Sequence, residues 1–530
     1  MLANNNVTRR NFIGAAGMAA VAGAGLVGVP MAVAAEAESD AEVPYTPEAV
    51  FQTLDCDICV VGLGMSGLAA AVQAANNGDK VIGIEVTDVT GGNGLNGVEG
   101  LFGVGSDMQK AAGIEIDPVE VVRTELSEFQ MISDGALWLK LINNSADNIS
   151  WLIEQGVEFS GEVDNYLGSC IVSCFHWFKN GLAADGYIPQ MTARAEELGV
   201  EMLFETRGRG LVIEDGVVKG IYATDANGHD IQINAKAVIL ATGGYAQNPK
   251  FMAQRGWNWD NIAYYGRPHH VGDGLEMAFA AGAGNYVQNS CYNATNVLGQ
   301  GLTFAWKADN FTALFLGGGM FGMGGNVLWV NQDGDRFIDE SFAGGNFEMQ
   351  SVPAMTQRNM YSVFDRAIAE NTLAAFGDTE TIGRIDACVE AGDEPDLVCA
   401  DTLEEAAEKA GIDPAEFVAT VERYNELCKA GADADFGKDA AKMQPIETAP
   451  FYVVKMNQCY LMSVGGIQSD INCRAITATK EPIPGLYAVG TDGCMLYRNI
   501  YTINIGGTCN ANNINSGRVA ANHAHKVIAG

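Results

Sequence analysis

Residues Asp55 to Glu85 read DCDICVVGLGMSGLAAAVQAANNGDKVIGIE, and this stretch decides the fold. An apolar strand, Ile58 to Val61, enters Gly62-x-Gly64-x-x-Gly67, then an Ala-rich helix, then a second strand ending at Glu85. Gly62 makes the tight turn, Gly64 lets backbone N–H groups approach a pyrophosphate, and Gly67 allows the helix to pack closely on the strand. The helix N-terminus adds its positive dipole end. Glu85, 18 residues beyond Gly67, is placed to accept hydrogen bonds from a ribose diol. Strand, helix and terminal acid in register predict a bound adenine dinucleotide.

The rest of the chain sets bounds on this reading. At 530 residues it holds more than one domain. Its net charge of −34 argues against nucleic acid as a partner. Thr8-Arg9-Arg10-Asn11-Phe12-Ile13-Gly14 and the Gly/Ala-rich run to Ala35 form a twin-arginine export pattern. Residues 1–35 are therefore read as a signal peptide, with an uncleaved membrane anchor as the alternative, which places the mature protein in the periplasm or on the outer face of the cytoplasmic membrane. Its removal takes away two of the 31 basic residues and no acid, leaving 29 − 65 = −36. Residues 36–53 are acidic, contain Pro and read as a linker. Among twelve cysteines there is no Cys-x-x-Cys-His, so covalent haem is not encoded. His269-His270 have no carboxylate or cysteine at ligand spacing, and no metal site is assigned.

Further along, Thr90-Gly91-Gly92-Asn93-Gly94 offers a second loop open to a phosphate or a flavin edge. A helix is predicted over 135–155, a hairpin turning at Asp215-Gly216, a strand running into Thr242-Gly243-Gly244, and a helix opening at Gly272-Asp273-Gly274. Val327 to Asp339 reads as a hairpin turning at Asp333-Gly334, and Asp413-Pro414 as a helix start. No second dinucleotide fingerprint is present, so a resident nicotinamide site is not supported.

The order Gly62-x-Gly64-x-x-Gly67, Glu85, Gly91-Gly92-Asn93, Ala241-Thr242-Gly243-Gly244, Gly272-Asp273-Gly274 and Gly485-Leu486-Tyr487-Ala488-Val489-Gly490 resembles the fumarate reductase/succinate dehydrogenase flavoprotein family. Val330-Asn331 with Gly334 and Arg336-Phe337, and Gly506-Gly507 with Gly517-Arg518, extend the likeness from about Leu54 to the C-terminus. The resemblance implies an α/β protein. Its Rossmann-like FAD domain would be built from residues 54–285 and 446–530, with an inserted α+β capping domain at 286–445. It implies non-covalent FAD held by Gly62, Gly64, Gly67, Glu85, Gly92, Asn93, Thr242, Gly243, Asp273, Asp492 and Gly507. The implied chemistry is hydride transfer from flavin N5 to one carbon of an activated C=C bond, with a side chain protonating its neighbour.

The departures from the family pattern narrow the substrate. Positions where soluble fumarate reductases carry substrate-binding or proton-relay groups fall on Ser290 (the His of a Q-x-His pattern whose Gln is matched by Gln288), Met320, Met323, Ala369, Met462 and Asn504. An unpaired carboxylate in such a pocket costs several kcal/mol, whereas Met makes a pliable apolar wall. An enoate or enone bulkier and less charged than fumarate is the expected substrate. For catalysis the expected residues are Tyr501 as acid or carbonyl donor, Arg498 as anchor or acid, and His176 on a substrate-side loop. With neither haem nor nicotinamide domain, the chain resembles exported, cytochrome-linked C=C reductases of anaerobes, the cardiac glycoside reductase type among them. That implies a membrane-anchored multihaem cytochrome c as electron donor. The alternatives are a ketosteroid-type 1,2-dehydrogenase and a flavoprotein that only carries electrons.

Overall fold

A computed structural model describes residues 45–530 apart from 97, 129, 167–169, 255–261, 265, 288–290, 300–325, 342–355, 376–380, 393–395, 499–500 and 502–503. The export pattern and positions 288, 290, 320 and 323 lie outside the described residues. The chain forms two compact units. One contains residues up to Gly256 together with Gly266–Asn293 and Leu461–Gly530; the other contains Trp257–Tyr265 and Ala294–Tyr460. Among the described residues no helix is long and apolar enough to cross a membrane.

The first unit is built on an eight-stranded sheet. Its strands are β1 (Gln52–Val61), β2 (Val81–Ile84), β3 (Glu201–Leu203), β4 (Arg207–Glu214), β5 (Val217–Thr224), β6 (Asp230–Leu240), β7 (Arg474–Ile476) and β8 (Pro482–Ala488). They lie in the order β7-β8-β6-β1-β2-β3, with the β4–β5 hairpin joined to β6 through β5. Pairings among β8, β6, β1, β2 and β3 are parallel. Such strands are covered on both faces and read as apolar runs, as Ile58–Val61 and Val81–Ile84 do, all at most 3% exposed. The first residues of β1 are largely exposed yet pair with β6 from Gln52↔Ile231 onward. That is why apolarity alone marked only the second half of the strand. The predicted hairpin turns at Asp215 (φ 50°) and Gly216 (φ 76°), the two positive φ angles of a type I′ turn.

Helix α1 (Met65–Asn76) packs under β1 and against the long C-terminal helix α3 (Thr508–Ala529); α2 (Asp273–Ala280) starts at Gly272. A three-stranded antiparallel sheet of Gly100–Phe102, Phe159–Asp164 and Phe175–Phe178 completes the unit. The predicted helix near 135–155 spans Gly135–Glu154, capped by the Asp134 side chain.

The second unit holds a six-stranded sheet centred on Phe451–Val464 and Met360–Asp365. Leu328–Asn331 pairs with the latter, but the predicted 327–339 hairpin has no second strand. After the turn at Gly334, only an isolated Val330–Arg336 bridge remains. Asp413 caps the helix Pro414–Ala430.

Candidate flavin and active site

The C-terminal ends of the parallel strands β1, β2 and β6 converge on one cleft of about 1030 Å³ in the first unit. That is the edge where open α/β sheets bind ligands. Gly62 turns with φ 95°, and a Cβ there would collide with the Ala241 carbonyl oxygen. A Cβ on Gly67 would collide with the Gly62 carbonyl oxygen, so helix and turn touch backbone to backbone. Gly64 differs from both. Its nearest protein atom to a Cβ is 3.8 Å away, and it lines the cleft, so an added methyl would fill ligand space rather than strike the protein.

The helix ends facing the cleft lack the caps used elsewhere. Gly64 caps α1 and Gly507 caps α3, each without a side-chain cap and without an acid in the first turn. Away from the cleft, Ser106, Asp134, Thr402 and Asp413 cap their helices with side-chain oxygens. An uncapped N-terminus leaves N–H donors for an anion. Gly507 itself does not line the cleft; a Cβ there would sit 2.6 Å from Phe102 N, and its helix presents Asn510 and Asn513 to the cleft instead.

Glu85 lines the cleft and is already held in place by protein donors. Its carboxylate accepts from Leu63 N at 2.8 Å and from Thr87 N and Oγ1 at 3.0 Å each. Gly92 and Asn93 form the facing wall; Asn93 Oδ1 accepts from Arg267 N at 2.9 Å. Thr242 and Gly243 line the cleft as well. Asp492 lies behind them, outside the cleft lining and fully buried. It accepts from Thr242 N (2.6 Å), Thr242 Oγ1 (2.9 Å) and Gly244 N (2.7 Å). Burial, opposed by these donors and assisted by the charge of Asp273, pushes its carboxyl up to about 6. Asp273 lines the cleft and receives both arms of Arg207, at 2.9 and 2.6 Å.

The three expected catalytic residues are placed differently. His176 is fully buried. One ring nitrogen meets Ser106 Oγ at 2.7 Å and the other Cys174 O at 3.0 Å, and burial pushes its imidazole down to about 4. The structure does not bring it to the cleft. Arg498 donates from Nε to Ile132 O at 2.7 Å, with its guanidinium 4.8 Å over the Tyr286 ring. Tyr501 is 8% exposed, its ring 4.9 Å from that of Tyr497. Of the replaced family positions that are described, Met462 lines the cleft, Ala369 is fully buried in the core of the second unit, and the Asn504 carbonyl accepts from Ile171 N at 3.0 Å.

Sequence reasoning missed Arg207, Arg267 and His270 as cleft-lining residues. They come from a strand and a loop far apart in the chain, and no spacing marks them. It also missed Asn510 and Asn513, although a separation of three puts both on one helix face and could have marked them.

A model of the FAD binding domain family matches residues 57–504. The chain belongs to this family. The cleft described above fits FAD: Gly64 leaves room for a ligand, the uncapped α1 has N–H donors suited to phosphates, and Glu85 has a carboxylate suited to a ribose. The flavoprotein is 31% identical to the vinyl phenol reductase of Lactiplantibacillus plantarum over 89% of this chain and 97% of that relative. It is 28% identical to the cytochrome-type fumarate reductase of Shewanella frigidimarina over 89% and 77%. The open conformation of a flavocytochrome c3 fumarate reductase superposes with a TM-score of 0.67 at 23% identity, covering 91% of this chain and 79% of that one. This chain is an FAD-dependent oxidoreductase of fumarate reductase-like fold.

Proposed function

We propose that the flavoprotein reduces an activated C=C bond in a substrate bulkier and less charged than fumarate. FAD, when bound, supplies hydride transfer at its N5; the chain must hold it, polarise the alkene and provide a proton. The observation that carries this reading is Met462, an apolar side chain lining the retained cofactor cleft at a position where the family pattern carries a substrate-binding group. The Met462 thioether offers a second carboxylate no charge to offset the loss of hydration. The likeness to a vinyl phenol reductase across nearly that whole relative supports an aromatic alkene without a second carboxylate.

In the same proposal Tyr501 protonates the substrate or binds its carbonyl. Arg498 holds the Leu496–Tyr497 segment in place through Tyr286 and Ile132. The Arg9-Arg10 pattern supports export. A separate cytochrome is the proposed donor, a reading supported by the likeness to a cytochrome-type fumarate reductase.

The test is reoxidation of viologen-reduced protein by a panel of alkenes. Vinyl phenols, enones and monocarboxylic enoates should accelerate flavin reoxidation well beyond fumarate. Fumarate matching the best alkene would overturn the substrate argument; no acceleration by any alkene would overturn the reductase reading.

A further inference from the structure

Next to Val98, which lines the cleft, stands a carboxyl that the flavin cradle does not use. Glu99 is 5% exposed and immediately precedes the strand Gly100–Phe102. Tyr166 Oη donates to its Oε2 over 2.5 Å. Its Oε1 is buried and has no hydrogen-bond partner among the described residues.

The titratable groups facing Glu99 are Tyr166 and Asp164. Asp164, at the end of Phe159–Asp164, accepts from Tyr166 N and Trp177 Nε1, both at 2.9 Å. The strand Phe175–Phe178 presents a backbone group, Phe178 N donating to Glu99 O at 2.9 Å; its His176 is committed to Ser106. Helix α3 presents uncharged Asn510, whose Nδ2 donates to Gly100 O at 2.9 Å. Among the described residues no cation acts on the carboxyl. Burial, reinforced by Asp164 and opposed by the Tyr166 bond, pushes Glu99 up to about 8. The group therefore carries a proton at neutral pH. With Oε2 occupied by Tyr166, that proton sits on Oε1, the oxygen without an acceptor.

The pair also borders the site. Val98 and Asn510 line the cleft, and Asn510 holds the carbonyl of Gly100, the residue after Glu99. We propose that Glu99 and Tyr166 form the buried proton reserve of this reductase. The inference rests on the reductase reading. Each alkene gains a hydride on one carbon, carrying both electrons, and a proton on the other. That proton comes from the Glu99 O–H through the acid that meets the substrate, leaving a carboxylate. Solvent returns one proton before the next turnover, and no electron passes through Glu99. Glu99 is thus a supplying residue behind the cleft wall.

The test compares FAD-loaded wild type with Glu99→Gln, which keeps the shape, neutrality and Tyr166 bond of the protonated acid but has no proton to give. Infrared difference spectra across a pH titration should show a buried protonated carboxyl lost near pH 8 in wild type and missing in Glu99→Gln. Tyr166→Phe should move that loss to higher pH, because the bond it removes favours the carboxylate. Stopped-flow reoxidation of viologen-reduced protein by the best alkene should be at least ~10-fold slower in Glu99→Gln and lose its alkaline fall, with FAD content unchanged. No titrating band in wild type overturns the proposal whatever the substrate. A titrating band with full rate and an unaltered pH profile in Glu99→Gln overturns the reserve alone. A wild type that no alkene reoxidises overturns the reductase reading, and the reserve with it, even if the band titrates.

Discussion

Buried acids occur in both units, and they are treated in opposite ways. In the second unit Arg336 donates to Glu340 at 2.9 Å from both Nε and Nη2 and to Asp433 at 2.8 Å, while Lys438 reaches Glu340 at 3.3 Å and the Val327 carbonyl at 2.7 Å. The guanidinium lies between the rings of Tyr424 and Phe436, 5.2 and 5.0 Å away. Two acids meet two bases. Burial by itself would raise the Asp433 carboxyl, but Arg336 and backbone donors hold it well below the usual range. In the first unit Glu99 and Asp492 are buried with neutral donors only, and both are pushed up. A compensated acid is fixed in one charge state and can only hold structure. An uncompensated one sits close to its own titration and can exchange a proton, and these two stand beside the flavin cleft.

The contrast is open to direct attack. Arg336→Met leaves Glu340 and Asp433 buried without their main partner. It should cost about 3–5 kcal/mol in urea unfolding; a loss under about 1 kcal/mol would show that the network does not carry the second unit. The uncompensated acids should appear in the pH dependence of stability instead. Each has a folded pKa above its unfolded one, so its contribution is complete below the ordinary carboxyl range. That contribution is lost as pH rises, by about 6 for Asp492 and about 8 for Glu99. Relative to wild type, Glu99→Gln should remove a decline of a few kcal/mol between about pH 4 and about pH 8. Matching slopes in the two proteins would end the distinction.

Tyr501→Phe should lower alkene turnover by about 100-fold with FAD content and unfolding midpoint unchanged; undiminished turnover rejects Tyr501 as the acid. The smallest effect belongs to an acid-free buried cluster. Ser106 caps the short helix Asp107–Ala111 and bonds His176. Ser106→Ala should cost about 1 kcal/mol of stability and leave turnover alone, and a loss of turnover would return His176 to the chemistry.

The cofactor half of the site was legible because its requirements are local. Gly62, Gly64 and Gly67 fix a turn, a ligand approach and a packing contact within six residues of chain, and a strand ending in Glu85 follows directly. Thr242-Gly243 and Gly272-Asp273 were legible for the same reason, each being a strand or helix end with its own glycine. The catalytic half was not. Arg498 was expected as an anchor or acid; the structure places its guanidinium over the Tyr286 ring and its Nε on the Ile132 carbonyl. His176 was expected on a substrate-side loop from the family resemblance, yet Phe175–Phe178 is a buried strand. Asp492 read as a flavin contact, and its oxygens instead hold the Thr242-Gly243-Gly244 turn in shape.

By itself the sequence determined the cofactor, the parallel sheet and the apolar replacements that point away from fumarate, since glycine positions, strand periodicity and missing charges are properties of residue type. Only the tertiary structure decided which acids are compensated. Glu99 lies 67 residues from Tyr166 and Arg336 lies 97 from Asp433, and nothing near either acid in the chain announces its partner. Whether a carboxyl keeps its proton depends on burial and on the charges that folding brings to it. Residues 55–85 therefore establish what binds, while the proposed proton source follows from Glu99 meeting a tyrosine and not a cation.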